Sequence, residues 1–250
     1  MDAFFSMWLR EIKKFFRNRS KIATSLVQPL IYLLILGYGL NDIFHAAGQG
    51  SYVDFLAPGI VAMAIIFGAF IGGLSLLWDR KFGFLKETLV SPSSRLSIIF
   101  GRAFGAATTS TVQGLMILLI AAFFGFHFDH WTSLPLAVIF MLEIGLMFSS
   151  AGIIFGSLIE DFQSIQLVTT FFLMPLYFLS GALFPLKESG RGGVLYLIGV
   201  VNPLSYGVDG ARGLLLGQSR FDMMLNLLVV SATVVFLMTL SAVSFSRTKV

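Results

Sequence analysis

Six stretches of this chain are each about 20 residues long and almost wholly apolar, enough to thread a hydrocarbon layer about 30 Å thick as helices. They cover 22–40, 55–78, 103–124, 134–159, 165–184 and 223–245. Any one alone would also suit the buried helix of a soluble protein. Six in 250 residues do not, because 56% of the chain is hydrophobic and only 12% is charged. A soluble domain carries about 25% charged residues, and the mean hydropathy here is +0.87. Lipid must solvate much of this surface, and in lipid each segment has to satisfy its own backbone. The sequence therefore predicts an all-α integral membrane protein with six transmembrane helices.

Lys and Arg positions orient the spans. Arg10, Lys13, Lys14, Arg17, Arg19 and Lys21 precede the first span. Arg80, Lys81, Lys86, Arg95 and Arg102 lie around the connection between spans two and three, and Arg247 and Lys249 follow the last. The opposite loops, 41–54 and 125–133, carry neither Lys nor Arg, and Lys187, Arg191, Arg212 and Arg220 fall in one segment. The basic side is cytoplasmic, so an even number of spans places both the N-terminus and the C-terminus there. The basic-then-apolar start is too long in its polar part for a secretory signal and lacks a small-residue cleavage site, so the first span reads as a retained anchor. The net charge of +4 is thus a membrane-face charge, which suits membrane lipids and predicts no nucleic-acid partner. With no cysteine, disulfides and thiolate metal sites are excluded.

Residues 1–21 form an amphipathic helix. Phe4, Trp8, Ile12 and Phe15 recur at helical spacing, and Arg10, Lys13, Lys14 and Arg17 share the other face. Such a helix lies in the membrane surface with its rings at the headgroup boundary. It could act as a lever between a cytoplasmic partner and the first span. The connection after span two places Phe82, Leu85 and Leu89 on one stripe, flanked by Lys81, Lys86, Glu87 and Thr88. Ser91 precedes Pro92, which ends a helix there. A capped helix with an apolar stripe over 81–92 suits docking into a groove on another protein.

Residues 185–220 are too broken by glycine to span, yet hold apolar runs that fit re-entrant or interfacial helices. Asp209 and Arg212, three apart, can pair on one face. Glu143 sits near the middle of span four, where an acid is costly and marks a candidate transport residue or an interhelical bond. Pro29, Pro58 and Pro175 remove backbone donors from spans one, two and five. His127, Asp129 and His130 cluster in an outer loop but are too few and too adjacent for a metal centre. No GxxxxGK[ST], GxSxG or HExxH occurs, so the chain has no phosphate-cradling loop and no catalytic motif of those types. Work across the membrane would draw its energy from another chain.

Five elements, in order, carry a family likeness: the amphipathic start, FLAPGI (55–60), ETLVSPSSRLSIIFGR (87–102), LMPLYFLSGALFPL (173–186) and NPLSYGVDGARGLL (202–215). The chain resembles the membrane permeases of type-2 ATP-binding-cassette exporters, which include drug-resistance, Nod-factor and polysaccharide export subunits. The resemblance implies a coupling helix over 82–92 seated in a separate nucleotide-binding ATPase subunit, with the N-terminal interface helix beside it. It further implies a second permease copy, spans two and five (with Pro58 and Pro175) along the route, and re-entrant helices at the outer mouth. No cofactor is expected on this chain, and ATP and Mg would be held by the partner ATPase. Two other classes compete with this reading. One is a membrane anchor or scaffold that transports nothing, and the other is a lipid-modifying membrane enzyme using Glu143, His127 and His130.

Overall fold

The computed structural model describes residues 3–46, 50–83, 94–129, 131–159, 161, 163–185 and 193–247, and among them every regular element is helical. In chain order these are α1 (Ala3–Arg17), α2 (Arg19–Gly39), α3 (Asn41–Ala46), α4 (Tyr52–Leu74), α5 (Leu76–Lys81), α6 (Arg95–Phe123) and α7 (Leu134–Leu158). A composite helix α8 (163–178) follows, then α9 (Val194–Val201), α10 (Pro203–Leu216) and α11 (Met223–Ser246).

Five helical stretches among the described residues are long and apolar enough to cross a bilayer: Arg19–Gly39, Tyr52–Lys81, Arg95–Phe123, Trp131–Leu158 and Met223–Ser246. They match five of the six stretches read from the sequence. The remaining one, expected over 165–184, is different. It is built from Gln163–Val168, a wide π turn at Thr169–Leu173, and Met174–Phe178. At about 1.5 Å per residue it reaches about 24 Å, short of a full hydrocarbon core. Pro175 has no N–H to return to the turn before it, and a widened turn absorbs that loss. After Phe178 the chain turns, with Gly181 at φ 76°, a left-handed value that glycine adopts without strain.

Helices α4, α6 and α7 make the packed centre, and 72% of the most apolar stretch of Tyr52–Lys81 is buried within the chain. Small residues let their backbones meet. A β-carbon at Gly73 would collide with the Ser149 carbonyl, and one at Gly152 with the Phe70 carbonyl, so either substitution would force α4 and α7 apart. Without a hydrophobic force between helices in lipid, such close approach is a main source of cohesion. The outer helices α2 and α11 are far less covered, at 17% each.

Part of the aromatic face of helix α1 is laid against α6, while Phe5 and Phe16 stay exposed. Phe4 meets Phe104 edge-on at 5.6 Å, and Trp8 donates from Nε1 to Thr108 Oγ1 at 3.2 Å. Gly101 and Gly105 form the seat: a β-carbon there would lie 2.5 Å from the Phe4 carbonyl oxygen and 2.7 Å from Glu11 Cβ. Lys13, Lys14 and Arg17 remain exposed on the far side. Asn18 breaks the chain between α1 and α2 and caps the latter, accepting from the Lys21 amide at 3.0 Å.

Candidate functional site

The segment expected to dock a partner begins where α5 ends. Phe82 is 67% exposed. Leu85, Lys86, Glu87, Thr88, Leu89, Ser91 and Pro92 lie outside the described residues. The chain resumes at Ser94, which caps α6 by accepting from the Ser97 amide at 3.1 Å.

What anchors this segment is clear on its α5 side. The Asp79 side chain is 11% exposed and accepts from Arg102 of α6, a side chain only 3% exposed, in a close ion pair. Arg10 of α1 reaches both oxygens of the same carboxylate at 3.5 Å. Arg102 is the buried partner of this carboxylate, and losing either member of that pair leaves an uncompensated buried charge, whereas Arg10 is the more exposed of the two guanidiniums. The next residue, Arg80, turns the other way. It donates to the carbonyls of Ser157, at 3.0 Å, and Ile159, closing the C-terminal end of α7 with a cation. Two consecutive residues thus tie α5 to α1, α6 and α7.

At the opposite end the charges of α10 meet backbone instead. Asp209 and Arg212, read as an ion pair from their spacing, take separate partners. Asp209 accepts from the amides of Arg220 and Phe221 and from Asn226 Nδ2, all within 3.0 Å, which fixes the turn into α11. Arg212 donates to the carbonyls of Phe55 and Gly181 at 3.2 and 3.3 Å and lies 4.0 Å above the Phe55 ring. Asn202 joins in, donating to the Leu176 carbonyl at 2.6 Å. Tyr52 bonds the Leu183 carbonyl at 2.8 Å, and Tyr177 the Gly59 carbonyl at 3.2 Å, beside Pro58. Pro58 is therefore interior, whereas Pro175 lies on an exposed face of α8 with Phe171 and Phe178.

Glu143 is bonded to Ser231 of α11 at 2.6 Å, the hydroxyl partner that the sequence left open. His127 lies in the loop before α7, where its amide donates to Asp54 at 2.8 Å and its ring is exposed. His130 is outside the described residues. Among the described residues no cluster could hold a metal ion.

Sequence reasoning missed Asp79 and Arg102 as a pair, although an acid closing one apolar run and a base inside the next was a usable signal. It also missed Gly101 and Gly105, whose four-residue spacing marks a close helix contact.

A helical bundle with apolar spans, a basic helix seated on span three and a buried charged joint at the end of α5 defines a multi-pass membrane protein. A family model for the ABC-2 type transporter matches residues 2–216. Nodulation protein J of Rhizobium leguminosarum bv. trifolii is 32% identical over 199 residues, covering 79% of this chain and 74% of that protein. The inner membrane transport permease YadH of Escherichia coli (strain K12) is 29% identical over 215 residues, covering 83% and 80%. This chain belongs to the ABC-2 type transporter family.

Proposed function

We propose that the chain is the permease subunit of an ATP-driven exporter of the inner membrane, moving an amphipathic, lipid-linked or drug-like cargo outward. A separate nucleotide-binding subunit would supply ATP and Mg, and two permease copies would enclose the route. In this reading both termini and residues 81–92 face the cytoplasm, and α8 with its following turn serves as the sixth membrane segment. The observation that carries it is the joint at Asp79 and Arg80, which adjoins the segment that would dock the ATPase. Closure of the ATPase on ATP would push that segment, and α5 would pass the push to α1, α6 and α7. The lipid-enzyme reading has no such support, since Glu143 and His127 have separate partners.

Glu87→Ala or Leu89→Ala should leave the chain folded and inserted while cargo-dependent ATP hydrolysis by the reconstituted complex falls. Labelling of a cysteine placed at Lys86 settles the geometry. Reaction from the cytoplasmic side fits, and reaction with an impermeant reagent from outside overturns the reading.

A further inference from the structure

A cavity of about 610 Å³ opens where α1 meets α2, walled by α2, α4, α5 and α6. Its volume is within the range of about 300–1,000 Å³ typical of ligand sites. Its lining changes character along its height. Glu11, Lys14, Lys21 and Asp79 stand at the end nearest the α1–α2 break, and Pro29, Met63 and Phe67 at the far end. From Lys21 to Pro29 along α2 is about 12 Å, close to the roughly 15 Å depth of one hydrocarbon leaflet.

Deep in the cavity the polar side chains carry no charge, and all but Gln28 have partners among the described residues. Gln113 donates to Ser25 at 2.6 Å, and the hydroxyls of Thr24 and Thr109 bond carbonyls of their own helices. Demand for a partner remains at the mouth. Neither Lys14 nor Lys21 has an ion-pair partner among the described residues. Asp79 is matched by Arg10 and Arg102, which leaves Glu11 as the one facing acid, with its Oε1 unbonded. Positive charge is therefore in excess at a mouth whose interior is apolar.

We infer that this cavity binds an anionic amphiphile, its acidic head at Lys14 and Lys21 and its apolar body between α2 and α4. The occupant is either an acidic phospholipid of the surrounding leaflet or an acidic amphiphile carried as cargo. The site stands apart from the ATPase reading: a chain that exported nothing would still fill it.

Trp78 lines the cavity and provides the readout. The full chain, with Trp8→Phe and Trp131→Phe leaving Trp78 alone, is placed in phosphatidylcholine nanodiscs. Three brominated quenchers are compared: phosphatidylglycerol, phosphatidylcholine and a single-chain alkyl phosphate. An anionic quencher should reach half-quenching at a mole fraction about tenfold below that of phosphatidylcholine, as two lysines near an acidic head imply. Preference for phosphatidylglycerol alone identifies a membrane lipid. Preference for the alkyl phosphate alone identifies a narrower, cargo-like amphiphile, and preference for both identifies the charge as the selector.

Lys14→Gln with Lys21→Gln should erase the preference. Ala64→Phe, which fills the cavity but keeps every charge, should erase it too, and this separates occupancy from a lipid annulus drawn to α1. Ile71→Phe, on a more exposed part of the same wall, serves if Ala64→Phe does not fold. Equal quenching by phosphatidylcholine in the parent protein, or a preference that survives the charge pair or the filling variant, overturns the inference.

Discussion

The two ends of the bundle are both knotted by buried charge, but the knots are tied to different things. At the end bearing α1 and α5, a carboxylate meets guanidiniums: Asp79 with Arg102 and Arg10. At the end bearing α10, a carboxylate meets amides and a guanidinium meets carbonyls: Asp209 with the Arg220 and Phe221 backbone, Arg212 with that of Phe55 and Gly181. Side-chain partners can be exchanged together. Backbone partners cannot be exchanged at all. The first knot thus joins α1, α5 and α6 through side chains alone, while the second fastens α10 to α4, to the turn after α8 and to α11.

The largest expected effect lies in the first knot. Asp79→Leu strands the Arg102 charge in a site where its side chain is 3% exposed, and should cost about 3–5 kcal/mol of stability. Adding Arg102→Met removes the stranded charge, and thermal unfolding in detergent should return most of the loss. Cargo-dependent ATP hydrolysis should stay low in the double variant if the ion pair transmits movement. Recovery of both stability and coupling would reduce the pair to a packing element.

Asp209→Ala comes next, at about 2–3 kcal/mol, because the Arg220 and Phe221 amides and the buried Asn226 lose an acceptor. No second substitution can compensate for two main-chain donors. Arg212→Met in that background should add its own loss instead of restoring stability. A rescue by Arg212→Met would mean that the two charges act on each other, as their spacing first suggested.

That spacing is instructive about what a sequence discloses. The five long apolar helices were legible because length and composition set them, and α9 and α10 because glycine and proline punctuate the run from 185 to 220. The partners of Asp209 and Arg212 were not legible, since main-chain groups are the same in every residue and leave no signature. The outer end of the stretch 165–184 was misread for a related reason. Residues 180–183 are buried as a turn under Tyr52 and Arg212, and hydropathy alone does not distinguish burial in protein from burial in lipid. Helix α1 was read as amphipathic correctly, but its seat on Gly101 and Gly105 depends on a pairing of distant segments.

Trp8 tests that seat at smaller amplitude. Trp8→Phe keeps the ring against α6 and deletes only the bond to Thr108, so the loss should be about 1 kcal/mol. Thr108→Val should cost a similar amount, and the double variant no more than either alone. An additive double loss would show that the two side chains do not meet.

The smallest effect separates the two guanidiniums of the first knot. The Arg10 side chain is 39% exposed and sits 3.5 Å from Asp79, whereas Arg102 is buried against it. Water and salt screen the first contact, and an exposed pair of this kind contributes at most about 1 kcal/mol. Arg10→Gln should therefore shift unfolding only slightly at low salt, and the shift should vanish near 1 M salt, where the screening length is about 3 Å. The Asp79→Leu loss should persist there. If Arg10→Gln instead cost as much as Asp79→Leu at both salt concentrations, α1 would be held by charge rather than by its fit to Gly101 and Gly105.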